Sequence, residues 1–129
     1  MKRVLTLLIA TFFGACPQVQ ASDYITAADR FLSVEVPKME AAVAAKDREY
    51  FKSGLERVKI FVGENWVDLD SSPPCTNAVT DFLIVGLCKI SPAGSICEPE
   101  TFIPKFEANL AMCRVAAKAT QALQPPLGR

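Results

Sequence analysis

The chain contains no histidine. Its absence removes Ser-His-Asp and Cys-His nucleophilic catalysis, histidine metal ligation and the usual general base near neutral pH. There is no C-x-x-C pair either, so a thioredoxin-like redox role lacks its motif and zinc lacks its usual ligand spacing. G-x-S-x-G, the P-loop, G-x-G-x-x-G and the EF-hand loop are all missing. The sequence calls for no cofactor and no metal.

An excess of one charge is also lacking. The 14 basic residues balance the 14 acidic ones and are scattered among them. Without Lys2 and Arg3, which belong to the leader described next, 12 basic residues (14 − 2) face 14 acidic ones, a net charge of −2. No basic patch forms, so nucleic acid is not an expected partner.

A long apolar run is absent too. Val4 to Phe13 is too short for an ordinary transmembrane helix, which needs about 20 residues. It fits a secretory leader over residues 1–21: Lys2 and Arg3 form the basic start, Val4 to Phe13 the apolar centre, and Val19-Gln20-Ala21 the small-residue cleavage site. Pro17 leaves that site extended for the peptidase. An alternative is a lipobox at Phe13-Gly14-Ala15-Cys16, with Cys16 as the lipidated first residue; only then would the protein sit on a membrane. Both versions place the mature chain in the periplasm or outside the cell.

What is present begins with the other four cysteines, Cys75, Cys88, Cys97 and Cys113, spaced C-x12-C-x8-C-x15-C. In an exported chain they imply two disulfides, and four cysteines allow three pairings. If Cys75 to Cys88 is a helix, its ends lie about 20 Å apart, and Cys97 to Cys113 gives about 24 Å. A bridge needs Cα atoms within about 7 Å, which eliminates Cys75–Cys88 with Cys97–Cys113. The crossed pairing joins opposite ends of an antiparallel hairpin. The nested pairing, Cys75–Cys113 with Cys88–Cys97, is the one expected.

Half the residues are hydrophobic, enough for one packed core. Tyr24, Ala28, Phe31, Leu32 and Glu35 share a helical face, all but Glu35 apolar, with Ser22 as N-cap and Pro37 kinking the helix or starting a new one. Lys46 to Glu49 reads as a turn with Asp47 capping the second helix; the alternative is a single helix from Lys38 to Trp66. Phe51, Leu55, Val58 and Val62 form the second stripe, with Phe61 beside it. Asp68 to Pro74 reads as a polar linker, and Lys89 to Glu98 as a loop.

The third segment, Cys75 to Cys88, is apolar nearly all round and is expected to be a central helix, with a strand over Phe82 to Val85 as the competing assignment. Ile103, Phe106, Leu110, Cys113, Ala117 and Thr120 mark the fourth helix, where Pro104 is tolerable only in the first turn. The expected fold is therefore all-α: a small up-down bundle of about four helices over residues 22–123, with a disulfide-stapled C-terminal hairpin and a mobile tail from 124 to 129.

Chemistry that needs neither histidine nor metal reduces to carboxylates. Glu64, Asp68 and Asp70 cluster in sequence around Trp66, an acid-plus-aromatic pattern that a carboxylate-based hydrolase would use. The plainer alternative is a solvated helix end whose aromatic covers the core edge. A carrier of a small apolar ligand in the bundle is a further class. The expected role is a non-catalytic module that binds another protein, such as an immunity or inhibitor protein, or an accessory subunit of an envelope or secretion assembly. Its expected contact residues are Trp66, Asp68, Asp70 and Lys89, since loops on a rigid scaffold commonly carry function. Oligomeric state is left open by the sequence.

Overall fold

The computed structural model describes residues 18–91 and 97–124. Their elements are α1 (Gln18–Ala45), α2 (Arg48–Glu64), a 3-10 turn (Trp66–Ser71), α3 (Pro73–Ile90) and α4 (Pro99–Leu123). No strand occurs among the described residues, and Phe82 to Val85 lie inside α3. No described helix is long and apolar enough to cross a membrane. The leader through Pro17, the loop 92–96 and the tail beyond Gln124 fall outside the described residues.

The bundle is uneven. α3 packs on α1, α2 and α4, and α1 packs on α4, whereas α2 touches only α1, α3 and the 3-10 turn. Three helices thus enclose the centre and α2 lies along one side. At that centre Ala28, Leu32, Cys75, Ala78, Phe82 and Cys113 are wholly buried. α4 buries Phe106, Leu110, Cys113 and Ala117 on one stripe, as its periodicity predicts. Both ends of the α3–α4 hairpin are closed. Cys75–Cys113 has a Cα separation of 4.7 Å and Cys88–Cys97 one of 5.4 Å, the nested pairing of two antiparallel helices.

Only Lys46 and Asp47 join α1 to α2. Lys46 takes a left-handed conformation at φ 53°, and the Asp47 amide donates back to the Ala42 carbonyl at 2.9 Å, reversing the chain at the end of α1. The Asp47 carboxylate then accepts from the Glu49 and Tyr50 amides at 3.0 and 3.2 Å, the expected N-cap of α2.

Several boundaries differ from the sequence expectation. α1 starts at Gln18, so the Val19-Gln20-Ala21 site is helical and not extended, and Ser22 lies within the helix and is not its cap. It also runs through Pro37 without a new helix beginning there. Pro37 and Ser33 are exposed, so water can satisfy the Ser33 carbonyl that loses its donor, while the adjacent Val36 and nearby Met39 stay buried. Pro104 sits in the second turn of α4, not the first, and is again on the exposed side. α3 begins two residues early because Pro73 and Pro74 occupy its first positions, where an amide proton has no helical partner to lose. Lys89 and Ile90 likewise belong to α3 and not to the following loop.

The buried stripe of α2 is shifted. It consists of Phe51, Gly54, Val58 and Phe61, while Leu55 is 49% exposed. Gly54 is the reason. A Cβ there would lie 2.8 Å from a Leu83 methyl, so α3 approaches α2 over the bare glycine and Leu55 moves to the rim. Gly86 on α3 does the same in reverse. A Cβ there would meet the Phe51 ring at 2.6 Å and the Met39 side chain at 2.7 Å.

Candidate functional site

The 3-10 turn between α2 and α3 is built as a fixed ledge. Asn65 ends α2, its amide and side-chain nitrogen both donating to the Phe61 carbonyl at 3.1 and 2.8 Å. The Asp68 amide donates to Asn65 at 3.0 Å, and the Ser71 hydroxyl donates to the Asp68 carbonyl at 2.6 Å. Leu69 packs inward against the core. Its carbonyl accepts from the Thr76 hydroxyl at 2.6 Å, which ties the turn to the first turns of α3. Since Thr76 spends its one proton there, the Tyr24 hydroxyl is the donor in the 2.5 Å bond between Tyr24 and Thr76. Burial raises the Tyr24 phenol above its ordinary value, with the Thr76 bond pulling the other way.

What this ledge displays is apolar. Trp66 is 72% exposed and Val67 83% exposed. Trp66 therefore does not cover the core edge. Phe31 and Phe61, with ring centroids 4.7 Å apart, fill the interior near the end of α2 instead. Asp70 and Glu64 are exposed and Asp68 is half-buried. Among the described residues no three His, Cys, Asp or Glu side chains form a group able to hold a metal ion. Lys89 is exposed in the last turn of α3, where a cation complements the helix C-terminus. It lies 13 residues along α3 from Thr76, about 20 Å away, so it does not share a surface with Trp66, Asp68 and Asp70.

One polar cluster escapes a periodicity reading. Glu35, only 4% exposed, sits at a core position of α1. Its carboxylate accepts from Arg57 Nε at 3.0 Å and Nη2 at 2.8 Å, and from the Tyr50 hydroxyl at 3.0 Å. Lys38 stands 3.5 Å away, and the Arg57 guanidinium lies over the Tyr50 ring at 5.1 Å. Burial alone would raise the Glu35 carboxyl, but the bonds from Arg57 and Tyr50 and the charges of Arg57 and Lys38 together hold it below the ordinary range. Tyr50 is pushed up to about 12 by burial and by the carboxylate it donates to. This fork-shaped pair locks α2 onto α1. The sequence signal was present: Glu35 is the single charge on an otherwise apolar stripe.

Two open clefts flank α2. One, about 330 Å³, has Phe51, Leu55, Leu87 and Ile90 along its apolar walls, with Arg48 and Lys52 at the rim. The other, of similar volume, runs between Phe31, Val34 and Phe61. Lys52 already pairs with Glu49 at 2.6 Å. No family model, curated protein or solved structure matches this chain.

Proposed function

We propose that this is an exported, disulfide-stapled helical module that binds another protein through the Trp66–Val67 ledge. The observation that carries it is the exposure of Trp66 and Val67 on a turn tied by hydrogen bonds to α2 and α3. Displaying an indole in water gains nothing for folding, whereas a pre-ordered aromatic loses little entropy on docking and is the residue type most enriched at binding hot spots. Asp68 and Asp70 beside it supply a polar rim. The role is that of an immunity or inhibitor protein occluding another protein's active site, or of an accessory subunit in an envelope or secretion assembly.

Export is supported by the tripartite start of the chain and by two disulfides, which persist in oxidising compartments. Cleavage after Ala21 keeps Tyr24 and the buried residues of α1 that follow it in the mature chain. Intact mass of the native protein tests this: a chain starting at Ser22 is expected, a diacylglyceryl Cys16 start replaces it with the lipid-anchored form, and an unprocessed Met1 overturns both.

For binding, the oxidised protein is used to isolate its partner, and the affinity is then measured for wild type and Trp66→Ala. A loss of about 30-fold or more is expected for a hot-spot indole. Unchanged affinity for both Trp66→Ala and Val67→Ser refutes the ledge as the contact.

A further inference from the structure

Two glycines bring α2 and α3 together, and the residue after each is left outside the line of contact. Leu55 follows Gly54 and Leu87 follows Gly86. The two leucines are 49% and 42% exposed and line one cleft of about 330 Å³, with Phe51 and Ile90 completing its apolar walls. Single exposed leucines are ordinary on a surface, but four apolar side chains around one concavity are not scattered.

The charged rim of this cleft has one sign. Among the described residues the charged side chains that line it are Arg48 and Lys52. Asp47 and Glu49, the acids next to Arg48 in sequence, do not line it. The Asp47 carboxylate accepts from the Glu49 and Tyr50 amides, and Glu49 holds Lys52 at 2.6 Å. Arg48 is in no ion pair among the described residues, which leaves one uncommitted guanidinium at the mouth of an apolar cleft.

We infer that the cleft binds a small amphiphile with a carboxylate head, a single-chain fatty acid of medium length. Its chain lies over Phe51 between Leu55 and Leu87, and its carboxylate meets Arg48, whose planar fork matches two carboxylate oxygens. The dimensions favour this occupant over a docked helix. Phe51 to Leu55 is about 6 Å along α2 and Leu87 to Ile90 about 4.5 Å along α3, whereas the i, i+4, i+7 anchors of a docked helix span about 10 Å. A volume of about 330 Å³ lies at the lower end of small-ligand sites. This inference is independent of the Trp66 ledge.

Titration of the oxidised protein with octanoate, followed by backbone amide NMR shifts, tests it. One site with a Kd below about 1 mM is expected, with shifts centred on residues 48–55 and 87–91. Octan-1-ol should bind about 3- to 10-fold more weakly, and octyltrimethylammonium more weakly still. Arg48→Glu should weaken octanoate about 10-fold while leaving octan-1-ol within about 2-fold, a split that loss of the cleft's shape would not produce. Leu55→Glu should weaken both ligands; because Leu55 is half exposed the fold should survive, and Leu87→Asn replaces it if the melting temperature falls. Arg30→Glu, in the cleft between Phe31, Val34 and Phe61, and Trp66→Ala should change nothing. No binding up to about 1 mM overturns the inference, including the case in which Leu55→Glu instead abolishes capture of a protein partner. Octan-1-ol binding as tightly as octanoate, or losses that follow Arg30 or Trp66 and not Arg48, also overturn it.

Discussion

Replacing Arg57 by alanine isolates what holds α2 to α1. The Glu35 side chain is 5% exposed and the Arg57 side chain 34%. Without the guanidinium, the carboxylate keeps only the Tyr50 hydroxyl at 3.0 Å and Lys38 at 3.5 Å. Removing one partner of a fully buried pair costs about 3–5 kcal/mol. Arg57 lies at the boundary, so water can enter where it stood, and about 2–3 kcal/mol is expected. Urea unfolding followed by far-ultraviolet circular dichroism should show a midpoint lowered by about 1–2 M with an unchanged slope.

Two controls separate the charge from the packing. Glu35→Met with Arg57→Met removes both charges, and Tyr50 still donates to the Glu35 backbone carbonyl at 3.0 Å, so this variant should lie within about 1 kcal/mol of wild type. The pH dependence gives the second. The folded Glu35 carboxyl titrates below the ordinary value of 4.5, so the stability that the pair contributes is present above that value and is lost as pH falls through the folded one. In Arg57→Ala burial is offset only by Tyr50 and Lys38, and the gap to wild type should narrow as the carboxyl protonates on acidification. A loss under about 1 kcal/mol at neutral pH, or a double variant as unstable as the single, refutes the reasoning.

Glycine changes should split by surroundings. Gly86→Ala gains about 1 kcal/mol of helix propensity but must displace Phe51 and Met39, so a net loss of about 1–2 kcal/mol by chemical denaturation is expected. Gly63→Ala meets nothing within 4 Å and should stabilise by up to about 1 kcal/mol; the opposite ranking would mean the α2–α3 approach is not as described. Lys46→Gly relieves a left-handed residue at φ 53° and should raise stability by about 0.5–1 kcal/mol, read as a higher melting temperature. By loop entropy the Cys75–Cys113 bridge contributes about 4 kcal/mol and Cys88–Cys97 about 2.7, so mild reduction should collapse the melting transition; a reduced protein with the wild-type midpoint would refute that.

What was legible in the sequence was whatever side chains announce by spacing. The Phe106/Leu110/Cys113/Ala117 stripe, the Asp47 cap and the nested disulfides all follow from periodicity, a short capping residue and helix rise. The misses have physical reasons. Gly54 carries no side chain, so hydrophobic periodicity points to Leu55 instead, though the absence of a side chain is what lets α3 approach. Pro37 and Pro104 read as helix breakers by local cost alone, and exposure of their surroundings with packing nearby outweighs one lost hydrogen bond. Of the two readings of Trp66, contact residue or core-edge cover, the second rests on the tendency of aromatics to bury, and its 72% exposure overturns that one.

The distribution of restraints bears on where a partner could be gripped. The α3–α4 hairpin is closed covalently at both ends, and α1 packs on both of its helices. α2 has no such closure; it depends on the Gly54 and Gly86 approaches, the Glu35–Arg57 fork and a turn strained at Lys46. It is therefore the element that opens at least cost. The Trp66 ledge follows α2 in the chain, yet its inward anchor, Leu69, is bonded to Thr76 on α3, and Thr76 is bonded to Tyr24 on α1. The residue one helical position before Thr76 is Cys75, whose bridge to Cys113 fixes that end of the hairpin. The displayed indole is thus referenced to the stapled part of the molecule, and loosening α2 leaves its C-terminal mooring in place. Reducing the outer bridge releases the start of α3, which carries Thr76, from α4 and leaves the mooring to its hydrogen bonds alone.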